Sequence, residues 1–252
     1  MIKKAMILAA GFGKRLNPLT LDCPKPLLKI GNGTLLSNTI NFLEQCKIED
    51  IVINVHYLGD QITEYINKQK FNLNIKIIKE KEKILNTGGG ILNALKYFDN
   101  SFICINPDTI WNSKYVDEVK QMENTFNLSK RKNIILVVNK IKSFDKNLKG
   151  DFSLENDLVK KNNKDLNYIY TGLQIINPEI FSNINDKIFP INKIWDKLIE
   201  KEELLAVKSN IDFLHVSNLD IYKKLNIKYY FFLPFLIKIF VIFNFKIIFK
   251  FN

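Results

Sequence analysis

Residues Gly11-Phe12-Gly13-Lys14-Arg15 follow directly on an apolar run, Ala5 to Ala10, and Pro24-Lys25-Pro26-Leu27 comes soon after. Two glycines free the backbone to turn tightly and let its N–H groups approach a ligand, while Lys14 and Arg15 add fixed cations. The two prolines around Lys25 each fix φ, so this lysine is presented from a stiff loop. Bare N–H groups plus point charges suit a polyphosphate. Asp108, in Asn106-Pro107-Asp108-Thr109, follows a second apolar run. A carboxylate in that place is a hard oxygen donor suited to Mg²⁺, which keeps waters and shares substrate phosphates. Thr87-Gly88-Gly89-Gly90 opens a third segment. Three glycines cost helix propensity, so this run predicts close approach of a ligand to the backbone.

Positioning these groups requires strands that end beside one another. Ala5–Ala10, Asp50–Val55, Asn74–Lys79, Ser101–Asn106 and Asn133–Val138 read as strands. Helical spacing marks Thr34–Lys47, Asp60–Gln69, Asn86–Phe98 and Ser113–Glu123. The alternation predicts a mainly parallel sheet covered by helices on both faces, a three-layer Rossmann-like α/β fold. In such sheets ligands lie outside the carboxyl ends of the strands. The glycine turn and Asp108 both occupy such ends, so two distant motifs are expected to meet in one crevice. Beyond Lys140 the rhythm changes. A hairpin is expected over Asp151–Leu154 and Leu158–Lys161, with strands at Tyr168–Ile176, Leu204–Lys208 and Asp212–Val216. Helices are expected at Ile191–Glu202 and Asn218–Leu225.

The pattern resembles the nucleotidyltransferases that make NDP-sugars, over about residues 1–227. Leu-Ala-Ala-Gly-x-Gly-x-Arg and Pro-Lys-Pro-Leu belong together in that family. Asn106-Pro107-Asp108-Thr109, Gly150-Asp151-Phe152-Ser153, Tyr170-Thr171-Gly172 and the segment around His215-Val216 fall in family order. The nearest likeness is to the short N-acetylmuramate-1-phosphate uridylyltransferase and mannose-1-phosphate guanylyltransferase types.

The resemblance implies the nucleotide-diphospho-sugar transferase fold and a reaction of NTP with sugar 1-phosphate that releases pyrophosphate. UTP with N-acetylmuramate 1-phosphate, or GTP with mannose 1-phosphate, are the implied pairs. It assigns Arg15, Lys25 and Asp108 to catalysis. Nucleotide binding falls to Ala10, Gly11, Gly13, Lys14, Arg15, Lys25, Thr87 and Gly88, and the sugar phosphate to Asn106, Gly150, Thr171 and Gly172. Asp108 becomes the metal ligand, for Mg²⁺ or Mn²⁺. His215 stands where many relatives place a second metal-binding aspartate. It either touches phosphate or sugar, ligates a softer ion such as Mn²⁺, or weakens the site. That departure motivates one alternative, a nucleotide- or NDP-sugar-binding protein of the same fold without turnover. A dinucleotide-dependent oxidoreductase is not expected, because Leu16 stands where a third fingerprint glycine belongs.

The 252 residues carry a net charge of +11. Residues 228–252 contribute four lysines and no acid, and residues 130–149 hold seven basic side chains against Asp145 alone. A basic surface suits anionic substrates. Without aromatic interleaving, zinc spacing or a helix-turn-helix signature, no nucleic-acid partner is expected. The three scattered cysteines, Cys23, Cys46 and Cys104, form no disulfide framework and fit a reducing cytoplasm. The first apolar run, Ala5–Ala10, falls below the ~7-residue minimum of a signal core.

The catalytic domain is expected over 1–227, with 228–252 an appended apolar tail. A spanning helix needs ~20 mostly apolar residues, and Pro234 and Lys238 interrupt the tail. No stable span is therefore expected there, only weak association with a membrane surface or an appendage without a role. The sequence carries no signature of oligomeric state.

Overall fold

The computed structural model describes residues 1–161 and 166–231. Eleven strands are found among them: β1 (Lys4–Leu8), β2 (Lys29–Ile30), β3 (Gly33–Thr34), β4 (Asp50–Val55), β5 (Asn74–Lys79), β6 (Phe102–Ile105), β7 (Asn133–Asn139), β8 (Ser153–Glu155), β9 (Leu158–Lys160), β10 (Tyr168–Ile176) and β11 (Leu205–Ser209). The helices are α1 (Leu35–Gln45), α2 (Gly59–Lys68), α3 (Asn86–Ala94), α4 (Tyr115–Ser129), α5 (Asn192–Glu200) and α6 (Leu219–Phe231).

Nine strands form one sheet in the order β5-β4-β1-β6-β10-β7-β11-β9-β8. The first half is parallel throughout, with β1 pairing β4 and β6, and β4 pairing β5. The second half is mixed: β10 runs antiparallel to both β6 and β7, while β11 is parallel to β7. Successive side chains of a strand point to opposite faces. Ala5 and Ile7 of β1 accordingly join one buried cluster with α1, α2 and α4, and Met6 joins a second with α3 and α5. The result is the expected three-layer α/β architecture.

Three elements differ from the sequence expectation. The fourth helix runs on to Ser129, because Met122 and Phe126, one turn apart, both pack on the core. Asp212–Val216 is not a regular strand. It is clasped by two separate neighbours through single bridges, Ser143 to Phe213 and Thr109 to His215. Helix α6 continues past residue 227, with Tyr229 packed against the third buried cluster. The remainder of the tail, 232–252, lies outside the described residues.

Candidate active site

The first strand ends at Leu8, and Ala9 N–H is shared by the backbone oxygen and the side-chain Oδ1 of Asn54 on β4. The chain then turns through Gly11 and Gly13. Gly13 has φ 66°, a left-handed conformation that side chains resist. Its missing Cβ also makes room: an added methyl would lie 3.1 Å from Lys25 Cβ and 3.1 Å from Thr20 Cγ2. The glycine turn and the Pro-Lys-Pro loop therefore touch. Thr20 Oγ1 closes the turn by donating to Gly13 O at 3.0 Å.

Asp108 arrives from the other side, just past the end of β6. The Lys25 ammonium lies 2.7 Å from Asp108 Oδ2. His215 Nε2 lies 3.2 Å from the same oxygen. Burial alone would raise the Asp108 pKa, but the Lys25 ammonium and the His215 ring beside it outweigh burial and hold the carboxyl far below the usual range. The second carboxylate oxygen, Oδ1, is buried and has no partner.

A cavity of about 410 Å³ opens over this contact. Its wall includes Ala10, Gly11, Gly13, Lys14, Arg15, Lys25, Thr87, Asn106 and Asp108. The two distant motifs thus share one crevice, with Lys14 and Arg15 exposed at its mouth.

Five other expected site residues do not line that cavity. The space where a Gly88 side chain would stand is filled by the Phe189 ring. Segment 187–191 straps the start of α3, with Gly89 N–H donating to Phe189 O at 3.0 Å and Ile191 N–H to Thr87 Oγ1 at 2.8 Å. The glycine run expected to admit a ligand admits this protein segment at Gly88 and Gly89. Gly150, at φ 94°, abuts the Leu166 carbonyl. Thr171 is buried, and its hydroxyl donates to Leu136 O at 2.9 Å. Gly172, at φ 95°, sits at a bulge in β10 where its carbonyl accepts from Asn106 N–H at 2.7 Å. That bulge fixes Asn106 at the crevice edge. His215 meets Asp108 from behind, its ring stacked on Phe213 with centroids 5.5 Å apart.

Asn54 and Glu80 were not anticipated from the sequence. Asn54 lines the cavity and donates through Nδ2 to Glu80 Oε1 at 2.6 Å, while Glu80 Oε2 accepts from Leu85 N–H at 2.7 Å. This buried pair ties the end of β1 to the loop before α3. A lone Asn inside Ile51-Val52-Ile53-Asn54-Val55 was the available signal. Asn86, with φ 62°, is a further unanticipated wall residue.

The nucleotidyl transferase family profile matches residues 4–144. The chain belongs to that family, in its NDP-sugar-forming branch. It is 28% identical over 223 residues to N-acetylmuramate alpha-1-phosphate uridylyltransferase of Caulobacter vibrioides, covering 86% of this chain and 92% of that protein. The namesake enzyme of Neisseria meningitidis is 31% identical over 185 residues, covering 72% and 78%. Among solved structures, HddC from Yersinia pseudotuberculosis complexed with GMP-PN superposes with a TM-score of 0.71 at 25% identity, covering 90% of this chain and all of that one. This nucleotidyltransferase is thus an enzyme that joins an NTP to a sugar 1-phosphate, giving an NDP-sugar and pyrophosphate.

Among the described residues no cluster of three or more His, Cys, Asp or Glu side chains could by itself hold a metal. Asp108, ionised and with Oδ1 unpartnered, still offers a hard oxygen donor of the kind a divalent cation takes. Nor is any helix among the described residues long and apolar enough to cross a membrane.

Proposed function

We propose that the crevice binds UTP with its triphosphate along Gly11 to Arg15, and takes N-acetylmuramate 1-phosphate from the side of Asn106. One observation carries the placing of the phosphates, Lys25 facing Asp108 at 2.7 Å inside a cavity walled by the glycine turn and Arg15, and the uridylyltransferase relatives support the choice of substrates. The sugar phosphate is already ionised at pH 7, so its attack on the α-phosphorus needs no general base. The site has to align the two phosphates and offset their charge. Gly11 and Gly13 supply unshielded backbone at the triphosphate. Arg15 contributes a forked permanent cation, and Lys25 a point charge delivered from a stiff loop. Asp108 would hold Mg²⁺, or Mn²⁺ in its place, through Oδ1, and the bound ion would offset charge on the triphosphate and the leaving pyrophosphate. Thr87 and Asn86 line the same cavity, and in this reading they meet the nucleoside.

We assign the protein to the cytoplasm, where NTPs are available, and its product to the supply of a cell-wall or polysaccharide precursor. The likeness to HddC complexed with GMP-PN favours a guanine nucleotide, and the mannose-1-phosphate guanyltransferase of Schizosaccharomyces pombe, 29% identical over 213 residues, supplies the sugar of a second reading, GTP with mannose 1-phosphate. Incubation with Mg²⁺, each NTP and a panel of sugar 1-phosphates separates the two. Pyrophosphate release with UTP and N-acetylmuramate 1-phosphate is the expected result. Release only with GTP moves the assignment to the second reading. No release from any pair, with NDP-sugar still bound in calorimetry, supports a binding protein without turnover.

A further inference from the structure

We propose that His215 is a positioning residue for Asp108 and not a metal ligand: its Nε2 faces Asp108 Oδ2 and leaves Oδ1 for the cation. The inference rests on placing that cation at Asp108. Its ground is the unequal use of the two carboxylate oxygens. Oδ2 faces both the Lys25 ammonium at 2.7 Å and His215 Nε2 at 3.2 Å, whereas Oδ1 is buried and unpartnered. A cation sharing Oδ2 with the imidazole would stand against the lysine charge. A cation on Oδ1 meets neither.

The backbone fixes this arrangement. Val216 N–H donates to Asp108 O at 2.8 Å, and Thr109 and His215 form a bridge, so the two side chains are registered against each other. Phe213 stacks on the ring with 17° between planes, and Nδ1 is buried without a partner. Nothing on the Nδ1 side among the described residues competes for the ring. The device has a use during turnover. Lys25 serves both the carboxylate and the triphosphate, and when phosphate draws the ammonium away, His215 still orients Asp108.

The test uses Mn²⁺ as the probe on the full chain with UTP, read by electron spin echo spectroscopy and by Mn²⁺ titration. Thermal melts establish that each variant is folded. Expected are no directly bound nitrogen on Mn²⁺ in the unsubstituted protein and a roughly 10- to 100-fold weaker Mn²⁺ affinity in His215→Ala, the effect typical of lost outer partners. His215→Gln, whose amide can still donate, should recover most of it. A directly coordinated nitrogen signal that vanishes in His215→Ala overturns the inference while leaving the metal at Asp108. Unchanged Mn²⁺ affinity in His215→Ala overturns it as well. Unweakened Mn²⁺ binding in Asp108→Ala removes the metal assignment itself, and this inference with it.

Discussion

The phosphate side of the crevice and the sugar side are built in opposite ways. On the phosphate side, Gly11, Lys14 and Arg15 are exposed and face the cavity, and the close approach of Gly13 to Lys25 joins two motifs. On the sugar side, the residues in family order are mostly spent on the protein itself. Thr171 bonds Leu136, Gly150 abuts Leu166, and Gly172 carries Asn106. Motif residues of the first kind line the cavity and, on the proposed reading, are the ones that meet the ligand. Those of the second kind shape the backbone from which a few others reach it.

Substitutions should separate the two kinds. The largest effect is expected at Asp108→Ala, with kcat reduced by about a hundred- to a thousand-fold, as for other preorganised charges. Pyrophosphate release at saturating substrate measures it. Gly13→Ala comes next. It must adopt a left-handed φ and press on Lys25 and Thr20, so a stability loss of about 1–2 kcal/mol should accompany a raised KM for NTP. Chemical denaturation and initial rates give the two numbers.

Gly88→Ala sharpens the comparison further. Its methyl overlaps the Phe189 ring, so denaturation should show a loss of about 1–3 kcal/mol, with Phe189→Leu restoring part of it. A raised KM with unchanged stability would instead return Gly88 to the ligand. Thr171→Val removes the hydroxyl that serves Leu136 O and should cost about 1 kcal/mol of stability with kcat near that of the unsubstituted protein. The smallest effect concerns pH. The folded pKa of Asp108 is depressed, so its contribution is complete above the unfolded value of about 3.9 and is lost only as pH falls through the folded value. The stability difference between the protein and Asp108→Asn should therefore be flat from about pH 5 to 8 and shrink below about pH 4, which melting curves across that range would report.

The phosphate side was legible in the sequence because its chemistry is local. A strand, a glycine turn and a proline-flanked lysine each declare themselves within a few residues. Placing them at carboxyl ends of parallel strands required only the β-α-β alternation. The rest depends on contacts far apart in sequence. The Thr-Gly-Gly-Gly run reads the same whether a ligand or the Phe189 strap approaches it, and the strap lies about a hundred residues away. The Asn54–Glu80 pair joins two strands whose Val and Ile runs otherwise look ordinary. The clasp on Asp212–Val216 comes from Ser143 and Thr109, which no periodicity connects.

The central claim is that one crevice holds the triphosphate between the glycine turn and Asp108. A crystal structure with Mg²⁺ and a non-hydrolysable UTP analogue tests it most directly. The account expects phosphate oxygens at the Gly11 to Arg15 turn, Lys25 Nζ moved from Asp108 Oδ2 onto a phosphate, and Mg²⁺ on Asp108 Oδ1. A nucleotide bound elsewhere, with the Lys25–Asp108 pair intact and the cavity vacant, would contradict it.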